Sequence, residues 1–438
     1  MHVRVRRRIR EALPAPLSSL GRDVWLLYLT RFLRLFAYGL LSVVLVFYLV
    51  GLGLSEVQTG MVLTLTLAGD TVVSLYLTTQ ADRIGRRRML VAGALLMTAA
   101  GLVFAGTSNL TLLVAAGIVG VISPSGGEVG PFLPIEQAAL THVVPAAART
   151  EVFAWYTLAG SMGTATGALA GGVLTEALQQ RAVTPLASYR TMVVVYAALG
   201  IVLAVLFTRL SRASEAAAGE RTGAQDALVR LFGLGASRRI VAKLAALFAL
   251  DAFGGGFVIQ SFAAYWFYLR YGVQPAALGA IFFWANVFGG VSALVASRLA
   301  ARFGLINTMV GTHLPSNVLL ILVPLMPSLP LAVTLLLVRF SISQMDVPTR
   351  QSYLMAVVRP EERSAAGGVA GVARTIGASA SPVIAGFFFA RPSLINAPFF
   401  VAGALKIAYD LALYREFVSV RPPEEAGYLR GGSDERRA

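Results

Sequence analysis

Ala81-Asp82-Arg83-Ile84-Gly85-Arg86-Arg87-Arg88-Met89-Leu90 is a short basic break between two long apolar runs. Asp82 can pair with the arginines beside it, and Gly85 permits a tight turn. The basic cluster suits a surface of anionic lipid headgroups. An apolar run over 57–80 enters the break and another over 89–107 leaves it. Each is long enough to cross a bilayer as a helix. The stretch therefore reads as a cytoplasmic hairpin between two membrane helices.

The same alternation runs outward in both directions. The chain has 438 residues, 56% hydrophobic and only 13% charged, with a mean hydropathy of +0.71. A water-soluble domain carries about 25% charged residues. A lipid-facing surface explains the deficit. Apolar segments predict twelve spans at 24–50, 57–80, 89–107, 109–143, 151–176, 189–208, 244–269, 276–297, 305–326, 329–356, 363–390 and 394–417. The expected fold is an all-α membrane protein of 12 transmembrane helices in two pseudo-symmetric six-helix bundles. The parts are a basic cytoplasmic tail (1–23), an N-terminal bundle (24–208), a cytoplasmic linker (209–243), a C-terminal bundle (244–418) and a second cytoplasmic tail (419–438).

Basic residues set the orientation. Of the 37 lysines and arginines, 27 fall in predicted inside segments. Only Arg181, Arg190, Arg270 and Arg391 fall in outside loops. This bias places both termini in the cytoplasm, with the chain in the inner or plasma membrane of the cell. The net charge of +15 could suggest nucleic acid, but the apolar composition argues against it. The absence of cysteine excludes disulfides and thiolate metal sites. The three histidines (His2, His142 and His313) are scattered, so no metal site is expected. No Walker A pattern occurs, which argues against ATP hydrolysis, and no cofactor is expected.

The two halves repeat. At a shift of 214 residues, Pro134-Ile135-Glu136-Gln137 lies over Pro348-Thr349-Arg350-Gln351, Arg149 over Arg363, Gly163 over Gly377 and Gly172 over Gly386. Phe47-Tyr48-Leu49 is echoed by Phe267-Tyr268-Leu269. Duplication with parallel topology implies two bundles around a central axis.

The 78–90 region resembles the loop signature of the major facilitator superfamily, G-x-L-A-D-R-x-G-R-R-x-x-L. Thr78 and Gln80 replace its first Gly and its Leu. Ala300-Ala301-Arg302-Phe303-Gly304 is a degenerate echo in the second half. The resemblance implies that Asp82, with Arg83, Gly85 and Arg86, forms charged contacts that lock one conformation. Gly163, Gly167, Gly171 and Gly172 in span 5 have the small-residue spacing that lets membrane helices pack closely. They resemble the glycine motif of drug–proton antiporters in this superfamily. Ala168 stands where that motif has Pro, and Val114 stands where those antiporters carry an arginine in span 4. Roles tied to that arginine do not carry over.

Ionisable groups at membrane depth cost roughly 2.5–3.5 kcal/mol on insertion scales. Spans 1, 4, 7 and 10 hold eight of them: Arg31, Arg34, Glu128, Glu136, Asp251, Arg339, Asp346 and Arg350. These are the spans that line the central cavity in the resembled fold. Arg31, Arg34, Glu128, Asp251, Arg339 and Asp346 are the expected substrate and proton cavity. Glu128 and Asp251 lead the proton-site candidates. Glu136 and Arg350, aligned by the repeat and opposite in charge, are the expected cytoplasmic gate; the competing reading pairs each within its own half. Lys406 and Asp410 in span 12 have the i,i+4 spacing of a self-neutralising pair. Span 4 carries Ser123-Pro124-Ser125-Gly126-Gly127-Glu128 and is expected to break near mid-membrane, offering free backbone groups to a substrate or ion.

These features predict a secondary transporter that moves a small molecule by alternating access as a functional monomer in the lipid bilayer. Proton-coupled efflux is the leading expectation, and an uptake symporter for an organic anion is the alternative. An integral-membrane enzyme or a non-transporting receptor is the reading from another class.

Overall fold

The computed structural model describes residues 21–128, 130–145, 149–215, 235, 237–359 and 362–420. Most of the basic tail, linker residues 216–234 and 236, and residues 421–438 lie outside the described residues. The described chain is helical. α1 covers Arg22–Gly51, α2 Glu56–Ile84, α3 Arg86–Gly106, α4 Leu110–Val119, α5 Phe132–Val143, α6 Arg149–Gln180 and α7 Pro185–Thr208. The second half has α8 Arg238–Gly256, α9 Gln260–Tyr271, α10 Pro275–Phe303, α11 Leu305–Leu322, α12 Leu329–Ser343, α13 Asp346–Val357, α14 Arg363–Phe389 and α15 Ala397–Phe417. These make twelve spans, because spans 4, 7 and 10 are each built of two helices, α4–α5, α8–α9 and α12–α13.

Local chemistry sets the boundaries. Ser55 and Gln58 form a reciprocal capping box at the start of α2. Asn109 caps α4 through bonds from Thr111 and Leu112. Gly85 turns α2 into α3 at φ +120°, and Gly304 turns α10 into α11 at φ +84°. Both torsions favour glycine. The two basic loops thus share a turn as well as a sequence echo.

The repeat reappears in the helix bounds. Shifted by 214, α5 superposes its limits on α13, and Arg149 and Arg363 each open the next helix. Pro134 and Pro348 each stand third in their short helix. A proline lacks the N–H and collides with the carbonyl four residues earlier. That explains why α12 stops before Gln344 and why nothing helical continues into α5 from Gly130.

Within the first half α1 packs along α6 and α7, and α3 along α7. Within the second half α8 packs along α14 and α15, and α11 along α15. The halves meet through α2 with α14 and α6 with α10. Glycine makes these approaches possible. A Cβ on Gly163, Gly167 or Gly171 would run into the backbone oxygens of Phe32, Phe36 or Leu40 in α1. One on Gly172 would meet Pro275 in α10. Leu95, Leu102, Val119, Ile201, Trp284 and Leu411 stand exposed on the outer faces, as lipid contact requires. Among the described residues, ten segments are long and apolar enough to cross a membrane on their own.

Candidate functional site

Two buried charge clusters flank a central cavity, one in each half. In the first, Arg34 has no exposed surface and sits between two carboxylates. It makes a two-pronged pair with Glu136 at 2.8 Å for each prong and binds Glu128 at 2.8 Å. Arg31 binds Glu128 at 2.8 Å. Thr30 donates to Glu136 at 3.0 Å, and Tyr156 donates to its other oxygen. Arg31 also lies over the Tyr156 ring, 4.2 Å from its centroid. Two guanidiniums meet two carboxylates here, so the desolvated charges cancel.

Asp251 is the hub of the second cluster. Its Oδ1 holds Lys406 Nζ at 2.5 Å and its Oδ2 holds Arg350 at 3.0 Å and Arg374 at 3.9 Å. Asp346 joins Arg350 at 2.9 Å. His313 binds Asp410 at 2.8 Å, with Asn317 donating to the other Asp410 oxygen at 2.9 Å. Lys406 and Asp410 therefore do not neutralise each other. Each takes a partner from another helix, Lys406 the carboxylate of Asp251 and Asp410 the imidazole of His313.

Between the clusters lies a cavity of about 440 Å³. Arg31, Glu128, Arg339 and Lys406 line it, with Gln260, Asn286 and Gln344 as neutral polar groups. Among the described residues no carboxylate stands within ion-pair distance of Arg339, and its Nε has no hydrogen-bond partner. Of the expected cavity residues, Arg31, Glu128 and Arg339 line it directly. Arg34, Asp251 and Asp346 are buried behind its wall and reach it only through Arg31, Glu128 and Lys406.

Span 4 is non-helical over 120–128 and 130–131, where its Pro-Gly run predicts a break. Several of its carbonyls are engaged within the protein. Pro124 accepts from Ser261 N at 3.2 Å and Ser261 Oγ at 2.5 Å; Thr164 bonds to Gly126 O, and Ser123 to Gly127 O. Ser261 follows the break in span 7, so two broken spans from opposite halves are joined. Gln260 extends this link, donating to Ser42 at 2.7 Å and accepting from Asn286 at 3.0 Å.

Glu136 and Arg350 are paired within their own halves in this conformation, Glu136 with Arg34 and Arg350 with Asp251 and Asp346. In the basic loop, Asp82 binds Arg86 at 2.8 Å. Glu215 accepts from the backbone N–H of Arg86 at 2.6 Å and of Arg87 at 3.3 Å, capping α3. Glu362 accepts from Gly235 and Ser237 at 2.9 and 3.0 Å, at the start of α8. Arg83 lines a small basic pocket beside Gly85 and Arg212.

Sequence reasoning paired Lys406 with Asp410, read His313 only as one of three scattered histidines, and did not single out Gln260 or Asn286. Lys406 carried a signal: it is one of two lysines in an arginine-rich chain. Gln260 and Asn286 are neutral and have no pattern that marks them.

Comparison with known proteins agrees with this architecture. The family described as "Major Facilitator Superfamily" matches residues 27–382. The "Uncharacterized membrane protein YJR124C" of Saccharomyces cerevisiae is 32% identical over 426 residues, covering 91% of this chain and 95% of that protein. The "Quinolone resistance protein NorA" of Staphylococcus aureus is 24% identical over 157 residues, 36% of this chain and 39% of that protein. The nucleoside transporter NupG shares the fold with a TM-score of 0.69 at 13% identity, over 91% of this chain and 99% of NupG. A D-xylose-proton symporter does so with a TM-score of 0.68 at 15% identity, over 90% and 97%. With a family match over most of its length and the duplicated twelve-span bundle in place, the chain belongs to the major facilitator superfamily, as a transporter and not an enzyme.

Proposed function

We propose that this secondary transporter carries a small organic anion together with protons, by alternating access of the central cavity. The single observation that carries the reading is Arg339. A guanidinium with no carboxylate at ion-pair distance among the described residues, facing the cavity, is a ready site for a carboxylate or phosphate on the cargo. Arg31 and Lys406 share the wall with one carboxylate, Glu128, so the cavity itself carries surplus positive charge. Gln260, Asn286 and Gln344 supply neutral hydrogen-bonding groups for the rest of the molecule.

Export is the second reading. Its support is the glycine run of span 5 and the likeness of part of the chain to the quinolone resistance protein NorA. The cavity suits either direction.

Purified protein in liposomes tests both. Labelled carboxylates, phosphate esters, neutral sugars and organic cations would be offered under a pH gradient of either sign. The expected result is anion flux that follows the proton gradient and falls tenfold or more, about 1.4 kcal/mol, in Arg339→Gln. Arg339→Lys, which keeps the charge without the fork, retains part of it. Equal flux of neutral compounds, untouched by Arg339→Gln, overturns the anion reading. The sign of the driving gradient separates symport from export by exchange.

A further inference from the structure

Lys406 and His313 address the same oxygen. Lys406 Nζ lies 2.5 Å from Asp251 Oδ1, and His313 Nε2 lies 3.7 Å from that atom. The other edge of the imidazole is fixed. Nδ1 is 2.8 Å from Asp410 Oδ1, while Asn317 donates to Asp410 Oδ2. Asn317 Nδ2 also lies 3.1 Å from Nδ1 while it donates to Asp410. An ionised carboxylate only accepts, so Nδ1 directs its hydrogen to Asp410, and in the neutral ring the lone pair of Nε2 is turned towards Asp251. The ring is thus poised to bind one more proton, at a place where the resulting cation would meet a carboxylate.

Among the partners of Asp251, Lys406 alone also lines the cavity. Its ammonium rides on a flexible four-carbon stem. It can therefore reach Asp251 or an anion in the cavity, but not both at full strength. The remaining charged groups are engaged on the far side of Asp251. Arg350 and Arg374 face Oδ2, and Asp346 is held by Arg350. Arg339 acts on Asp251 and Asp346 through space from the cavity wall. Tyr409 stands edge-on to the imidazole, with ring centroids 5.8 Å apart. Exchange at Oδ1 leaves all of them in place.

We propose that His313, backed by Asp410, is the group that binds the transported proton, and that an anion in the cavity recruits this proton by drawing Lys406 off Asp251. The proposal rests on the anion–proton reading above. When the ammonium turns to the anion, Asp251 Oδ1 loses its cation. A proton from cavity water then bonds to His313 Nε2: an O–H bond of hydronium breaks, an N–H bond forms, and neutral water remains. The imidazolium takes the position at Oδ1 that the ammonium left. The carboxylate is neutralised before and after, and the anion and the proton are loaded together.

The test is nitrogen-15 NMR of the full chain, labelled at histidine, in nanodiscs of phosphatidylethanolamine and phosphatidylglycerol. Only three histidines are present, so substitution of His2 and His142 assigns the His313 signals. The neutral ring is expected as the Nδ1–H tautomer. Lys406→Gln imitates the departure of the ammonium. At a pH where wild-type His313 is mainly neutral, its imidazolium-to-imidazole ratio should rise about tenfold or more in this variant, the scale set by one nearby charge. Lys406→Arg, which keeps a cation at Oδ1, should leave the ratio at the wild-type level. An unchanged ratio in a folded Lys406→Gln protein overturns the proposal. So does the opposite tautomer in the wild type, a measurement that needs no variant. The spectra require neither substrate nor flux, so they succeed or fail independently of the anion-transport assay.

Discussion

Arg34 is the most constrained charge in the molecule, with three carboxylate oxygens around a guanidinium that has no exposed surface. Removing one member of such a buried group leaves its partners charged and desolvated, which costs about 3–5 kcal/mol. Arg34→Gln is therefore expected to lower the melting temperature of the detergent-purified protein sharply. Arg34→Lys should fall between the two, because an ammonium cannot make the two-pronged pair with Glu136. A melting curve for Arg34→Gln that overlays the wild type would remove the structural role. By contrast, Asp82 is over a third exposed where it binds Arg86, and exposed pairs contribute at most about 1 kcal/mol. Arg34 also marks a limit of reading by residue. Its cost in the membrane is plain from the sequence, as is that of Glu136. Their partnership is not, because it depends on how α1 and α5 cross. The repeat aligned Glu136 with Arg350, yet alignment across halves says which residues are equivalent and nothing about which ones touch.

At the scale of the helix, much more was legible. Pro and Gly in 123–131 announced the break in span 4, and Pro134 with Pro348 set equivalent starts for α5 and α13. In span 7 the only local sign of a break is Gly254-Gly255-Gly256, just before it. Its position at 257–259 is fixed by Ser261 bonding to Pro124, a contact between halves that no local pattern encodes. Glycine spacing was the most reliable local signal, and it supports a graded prediction. At Gly167 any side chain meets the Phe36 carbonyl of α1, whereas at Gly371 in α14 there is nothing within 4 Å. Overpacking of a close contact costs about 1–3 kcal/mol and more as bulk rises. Gly167→Ala should lower thermal stability measurably, and Gly167→Val should leave little monodisperse protein on size exclusion. Gly371→Ala should match the wild type. If Gly167→Val eluted and melted like the parent, the tight α1–α6 seam would be wrong.

For the whole molecule, the contacts between halves lie towards the end away from the chain termini. Gly60 faces Pro382, Gly386 faces Glu56, and Gly172 faces Pro275. Tyr265 donates to Glu56 at 3.0 Å, and Val383 N donates to Thr64 Oγ1 at 3.0 Å. At the end nearer the termini, the polar groups close on their own half, as Glu215 does on α3 and Glu362 on the start of α8. A carrier that alternates must undo the first set of contacts and make others. The chain has no cysteine, so an introduced pair can report on this without background. Thr64→Cys with Val383→Cys joins α2 to α14 where a side-chain oxygen already meets the opposing backbone. Mild oxidation should form the disulfide in the resting protein and stop flux in liposomes, and a reductant should restore it. Each single variant should carry substrate with or without oxidant. Full flux through the cross-linked protein would mean that this seam never opens, and that the two halves do not move against each other there.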